Sequence, residues 1–216
     1  MEEGITMKLQ IDCIPLGMMQ ANCYIVTDSI SGSSLVIDPG ECSDALINKL
    51  RSLGIKGLDY ILLTHGHFDH ISGAKQLRDL FSGKIVVHEL DEEYLNNPEK
   101  SLSYMLQNPS ERLCADITAA DGEALPFGDE EIKVIHTPGH TPGSVCYLIG
   151  NSLFSGDTLF CLSAGRTDFP GGNFFSMKNS MKKLKKLSGN LTVYPGHDSF
   201  TTLEKEKKNN PFMREF

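Results

Sequence analysis

The sequence predicts an α/β fold in a single domain spanning residues 1–216, and three observations carry that expectation. Short apolar runs recur along the chain, each stopping at a polar residue and then turn residues, as buried strands do. Between several of them lie stretches with apolar residues near a 3.6-residue period. A length of 216 residues with 40% hydrophobic and 22% charged residues suits one ordinary core and requires no second domain.

Taken in order, SSLVIDPG reads as a strand that stops at Asp38, followed by the helix SDALINKLRSLG with Ser43 as N-cap and Gly54 as its stop. YILLTHGHFDH is a strand ending at His65, and ISGAKQLRDLFSG is the helix after it. IKVIHTPGH ends in a Pro-Gly turn before His140, and NSLFSGDT ends at Asp157. SMKNSMKKLKKLSG is a late helix, and LTVYPGH ends at His197. The lysines of KKLKKL read as the solvent face of that helix rather than as a site for an anionic partner. Five strands thus end at residue types that bind metals or orient ligands. Strand ends on a rigid sheet are where catalytic groups are commonly presented.

Composition excludes several classes. A net charge of −8 argues against nucleic acid as a partner, which would call for a basic face. No apolar run approaches the ~20 residues that span a bilayer, so no membrane is expected. The start, MEEGITMKLQ, is acidic and lacks the apolar core of a signal peptide. Cys13, Cys23, Cys42, Cys114, Cys146 and Cys161 form no CxxC pair, which fits neither a zinc ribbon nor a disulfide framework. Reduced thiols in the cytoplasm are the expectation.

The stretch THGHFDH, residues 64–70, holds three of the seven histidines. Crowded imidazoles serve packing poorly, whereas metal ligation explains them. Side chains two apart in an extended segment point the same way, so His65 and His67 can face one metal. Asp69 and His70, at the mouth of the next helix, turn toward a second position. Imidazole and carboxylate donors suit zinc, with iron or manganese as alternatives, and the lack of Cys ligands argues against a structural zinc. The remaining donors must come from His88, His136, His140, Asp157 and His197.

THGHFDH, TPGHTPGS, SGDTLF and YPGH, in this order and spacing, resemble the metallo-β-lactamase superfamily, and more narrowly its glyoxalase II (hydroxyacylglutathione hydrolase) branch. The resemblance runs from VIDPG to the closing NPF. It implies an αββα four-layer sandwich with the site at one edge of the two sheets. It also implies two divalent metal ions, zinc above all. His65, His67 and His140 would hold the first, Asp69, His70 and His197 the second, and Asp157 would bridge them. Asp69 and Asp157 count as catalytic as well as ligating. Asp38 resembles a carboxylate that accepts the outer N–H of ligand histidines; otherwise it only forms a turn with Pro39 and Gly40. His88 and His136 match no ligand position and are expected to be structural.

Two cations ~3.5–4 Å apart can deprotonate a shared water and polarise an acyl oxygen, so the nucleophile would be a bridging hydroxide and no Ser or Cys is required. No general acid stands beside these residues in the sequence. A thiolate leaves without one, which favours a small-molecule thioester of the S-D-lactoylglutathione type over an amide. Arg166 falls near a basic residue that binds the glutathione moiety in similar enzymes; it either clamps a carboxylate or pairs with Asp168. Two features depart from the full-length enzymes: their helical C-terminal extension is missing, and Asp198-Ser199-Phe200 stands where a Tyr is usual. The alternatives are an iron persulfide dioxygenase, which needs only part of this ligand set, and a hydrolase of another ester or thioester. Di-iron redox members resemble HxExD at the motif, with Glu in place of His67.

Overall fold

The structure, a computed structural model, describes residues 9–106 and 112–214; most of MEEGITMKLQ lies outside them. Two six-stranded sheets form the centre. The first has the order β1 (Leu9–Leu16), β2 (Ala21–Asp28), β3 (Ser34–Ile37), β4 (Tyr60–Leu62), β5 (Lys84–His88) and β6 (Ile117–Ala119). Its first three strands are antiparallel, and β3 to β6 run parallel. The second is built from β7 (Ala124–Phe127), β8 (Glu130–His136), β9 (Val145–Ile149), β10 (Ser152–Gly156), β13 (Thr192–Pro195) and β14 (Thr201–Thr202), in that spatial order. A ribbon of β11 (Leu159–Phe160) and β12 (Ser163–Ala164) follows β10.

Helices cover both outer faces. Behind the first sheet lie α1 (Asp44–Ser52), the single turn α2 (Phe68–Ile71) and α3 (Ala74–Phe81). A 3-10 segment, Glu89–Asn96, leads into α4 (Pro98–Ser101), and α5 (Phe174–Lys185), α6 (Leu203–Asn209) and α7 (Pro211–Arg214) complete the chain. Ser43 caps α1 by accepting from Leu46 N, and Gly54 follows the helix at φ +74°, a backbone that L side chains rarely adopt. The late helix begins earlier than its amphipathic pattern suggests. Asn173 caps it from outside the periodic stretch, its side chain accepting from Ser176 N.

The strands read as continuous apolar runs because both faces of each sheet are buried. Alternate side chains of one strand enter different cores. In β2, Cys23 and Ile25 meet α1 and α3, while Tyr24 and Val26 pack between the sheets. In β9, Tyr147 and Ile149 join the inter-sheet core, while Cys146 meets α5 and its neighbours. The layers are therefore helix, sheet, sheet, helix, as expected. Truncating a residue such as Leu62 to Ala costs about 2–5 kcal/mol in such a core.

Hydrogen bonds pin the sheets together along one edge. Val145 N donates to Thr64 O at 2.8 Å, and Tyr147 Oη donates to Leu63 O at 2.9 Å. From the other side, Tyr24 Oη and Asn22 Nδ2 donate to Pro195 O at 2.6 and 3.0 Å. These links fix the loops that leave β4 and β13. That edge carries the candidate site.

Candidate metal centre

All seven proposed donors converge at this edge. Asp38 follows β3 and His65 follows β4 in the first sheet, whereas His140, Asp157 and His197 follow β8, β10 and β13 in the second. Three groups have donor atoms within 4.8 Å of one another: His65, His67 and His140; His65, His70 and Asp157; and Asp69, His70 and His197.

The distances divide the cluster into two halves joined by Asp157. His67 Nδ1 lies 2.9 Å from His140 Nε2, and His70 Nε2 lies 3.3 Å from His197 Nε2. Asp157 Oδ1 is 3.5 Å from His70 Nε2, and Oδ2 is 3.5 Å from His140 Nε2 and 3.7 Å from His197 Nε2. Asp69 Oδ2 lies 3.6 Å from His70 Nε2 and 3.4 Å from His197 Nε2. Gly196 allows this approach, since a Cβ there would collide with Asp157 Oδ1 and meet His70 Cε1.

Cations fit this donor set. His65 Nε2, His67 Nε2 and Asp157 Oδ1 are buried without a hydrogen-bond partner in the protein, an arrangement that costs free energy unless something else satisfies them. Burial, reinforced by His70, His140 and His67, pushes the His65 pKa well down. Burial, and then His140, brings that of His67 to about 3. Both imidazoles are thus neutral, as ligation requires. Burial also opposes charge on His70, but Asp69, Asp38 and Asp157 outweigh it and raise its pKa to about 10. Asp69 is held low against burial by His70 and His197.

Outer contacts orient these rings. Asp38 accepts Thr64 N at 2.7 Å on Oδ1 and Thr64 Oγ1 at 2.6 Å on Oδ2, and His70 Nδ1 lies 3.0 Å from Oδ2. The carboxylate is therefore spent on the ligand loop rather than on a local turn. Asp38 does so from a left-handed backbone, φ 52°, a conformation that persists only where surroundings hold it. Thr64 Oγ1 is 3.1 Å from His65 Nδ1, and His140 Nδ1 donates to Arg166 O at 2.8 Å.

Asp91 escaped the sequence reading. Fully buried in the 3-10 segment, it accepts Gly66 N at 2.8 Å and Thr141 Oγ1 at 2.7 Å on Oδ2, and Gly143 N at 2.7 Å on Oδ1. One carboxylate thereby ties the His65–His67 loop to the His140 loop. Both glycines permit the contact, since a Cβ on Gly143 would stand 2.6 Å from Asp91 N and one on Gly66 would strike Tyr94 Cβ. A lone Asp in an acidic segment carries no signal for such a role.

The remaining candidates are placed differently. His88 and His136 lie outside the cluster, stacked with centroids 4.0 Å apart and planes within 13°. Leu90 N donates to His88 Nδ1, and His136 Nε2 donates to Pro142 O at 2.8 Å. Arg166 lines the cleft above the donors, but its Nε and Nη2 both donate to Asp168 at 2.7 Å, and its guanidinium lies 4.0 Å from the centroid of Phe169. The pairing with Asp168 expected for Arg166 is present.

Comparison with known proteins agrees with this geometry. The Metallo-beta-lactamase superfamily model matches residues 16–197. Hydroxyacylglutathione hydrolase GloC of Haemophilus influenzae is 33% identical over 210 residues, covering 95% of this chain and 98% of that protein. The crystal structure of the BLEG-1 B3 metallo-beta-lactamase superposes with a TM-score of 0.88 at 36% identity, covering 94% of this chain and 99% of the other. The di-iron-bound form of TTHA1623 gives 0.81 at 32%, covering 93% and 99%.

Proposed function

The chain belongs to the metallo-beta-lactamase superfamily, and from that premise we propose that it is a binuclear metal-dependent hydrolase of thioesters, of the S-D-lactoylglutathione type. One observation carries the choice of thioester: among the described residues lining the cleft, the only ionisable side chain outside the seven donors is Arg166, already paired with Asp168. No acid stands ready to protonate a poor leaving group. A thiolate, with a parent pKa near ~8.5, leaves without one. The similarity to GloC supports the same reading.

In this proposal His65, His67 and His140 hold one divalent cation, Asp69, His70 and His197 the other, and Asp157 both. Bound cations would supply a nucleophilic water at neutral pH and polarise the acyl oxygen, with zinc expected and iron a real alternative given the di-iron relative. The protein's own part is positional. Asp38 and Thr64 hold His70 and His65, the Arg166 carbonyl orients His140, and Asp91 keeps the two loops in register. Hydrolysis breaks the acyl C–S bond and forms a C–O bond to the oxygen of water, leaving a carboxylate, a thiol and one released proton.

Thiol release from S-D-lactoylglutathione by metal-loaded protein tests the reading. Turnover is expected. Two bound metals but no cleavage of any thioester would end it. The BLEG-1 similarity favours one second reading, β-lactam hydrolysis, and a β-lactam in the same assay separates the two.

A further inference from the structure

The cleft above the donors has a volume of about 390 Å³, and its walls are mostly apolar. Met19 comes from the β1–β2 turn, Leu102 and Met105 from the segment after α4, Phe160 from β11, and Phe169 from the loop before α5. An aromatic ring stands beside each half of the cluster. The Phe169 centroid is 5.7 Å from that of His67 and 6.4 Å from that of His140, and Phe160 is 6.3 Å from His197. The ribbon carrying Phe160 is fixed from below, where Asn210 Nδ2 donates to Ser163 O at 2.9 Å and to Phe160 O at 3.4 Å.

Polar groups that could greet a substrate hydroxyl are scarce. Outside the donors, the described lining residues offer only the side chains of Ser163 and Arg166. The Nε–Nη2 fork of Arg166 already holds Asp168, with the guanidinium face against Phe169. A hydroxyl pressed against such walls gives up its bond to water without replacement. A methylene there is favoured, because it leaves water for an apolar surface.

We propose that this cleft selects thioesters whose acyl group is an unsubstituted apolar chain over those carrying a 2-hydroxyl. The inference rests on the thioester reading and departs from it in the acyl group alone: the walls of the cleft point to an unsubstituted chain where the similarity to GloC points to a hydroxyacyl group. Each buried methylene should raise kcat/KM about threefold to fourfold until the cleft is filled.

The test holds the thiol constant. Glutathione thioesters of acetate, propanoate, butanoate, hexanoate and D-lactate are given to the metal-loaded enzyme, with thiol release as the readout. Propanoyl and D-lactoyl differ only by the hydroxyl, so propanoyl should be favoured about tenfold, and kcat/KM should climb from acetyl to hexanoyl. A flat or falling series, or preference for lactoyl over propanoyl, overturns the proposal. Met105 and Met19 are 53% and 50% exposed, so Met105→Gln and Met19→Gln spare the core. Each should lower the hexanoyl-to-acetyl ratio about fivefold by replacing apolar wall; unchanged ratios in both would also count against it. Calorimetric binding of S-ethyl, S-butyl and S-hexyl glutathione separates the two layers. If no thioester is cleaved, the thioester reading fails; affinity that still rises with chain length keeps apolar selectivity for another substrate, and flat affinity removes it.

Discussion

Five histidines of this protein crowd into one cluster and two stack against each other elsewhere, and the contrast explains why one group is built for chemistry. His65, His67, His70, His140 and His197 share their space with Asp69 and Asp157, and His65 Nε2, His67 Nε2 and Asp157 Oδ1 are buried there without a hydrogen-bond partner in the protein. His88 and His136 each have a ring nitrogen settled on the backbone, and the nearby Asp121 accepts the His136 backbone N at 2.8 Å. Both groups sit at or beyond strand ends. What separates them is the surroundings: one cluster leaves donors buried and unsatisfied, the other closes on itself.

Removing the shared carboxylate should break that contrast hardest. A single contact to the transition state is commonly worth about 10²–10³ in rate, so Asp157→Ala, which takes a donor from both halves, is expected to cost more than ~10³ in kcat/KM and to lower the metal content. His136→Asn should cost less than about threefold. Elemental analysis beside thiol-release kinetics decides it, and a metal-replete, active Asp157→Ala would show that the seven donors do not act as a set.

Metal removal draws the same line in stability. A ligand bound at a thousand times its Kd stabilises the native state by about 4 kcal/mol. Chelation should therefore lower the melting temperature of the wild type and of His136→Asn, but hardly move Asp157→Ala. Equal shifts in all three would place the metal effect elsewhere.

Positioning carboxylates come next. Asp91→Ala and Asp38→Ala should each weaken metal affinity about 10–100-fold, the range for groups that orient ligands. Asp91→Asn should recover part of the loss, because its amide oxygen can still accept from one loop. Metal titration with a chromophoric competitor measures this. If Asp91→Asn were as weak as Asp91→Ala, neutral hydrogen bonding would not suffice to hold the loops.

The smallest effect belongs to the outlying pair. Burial, with His136 adding to it, brings His88 from its ordinary 6.5 down to about 4. A histidine whose pKa is lower in the folded state binds its proton better when unfolded. Its contribution to stability is complete above pH 6.5 and is lost as the pH falls toward 4. His88→Phe should therefore flatten the fall in melting temperature between pH 6.5 and 4 relative to wild type. A parallel fall in both proteins would show that the pair does not titrate in this window.

Much of the site was legible in the chain itself because its signals are local. HGHFDH places four donors in six residues, and apolar runs that stop at Asp38, His140, Asp157 and His197 mark strand ends wherever the strands lie in space. The sequence alone also made His88 and His136 unlike the others, since neither matches the motif.

Tertiary structure decided the rest, because the deciding contacts join residues far apart in sequence. No pattern in the chain shows that β4 and β9 belong to different sheets, or that Tyr147 and Tyr24 pin those sheets at the edge bearing the site. Asp91 ties loops 25 and 52 residues away, which only packing can reveal. Arg166 had two roles open to it, and only the folded loop shows its guanidinium forked onto Asp168. The donors are a property of the sequence; the shape and apolar walls of the cleft around them come from turns and loops that only the packing of the two sheets brings to one edge.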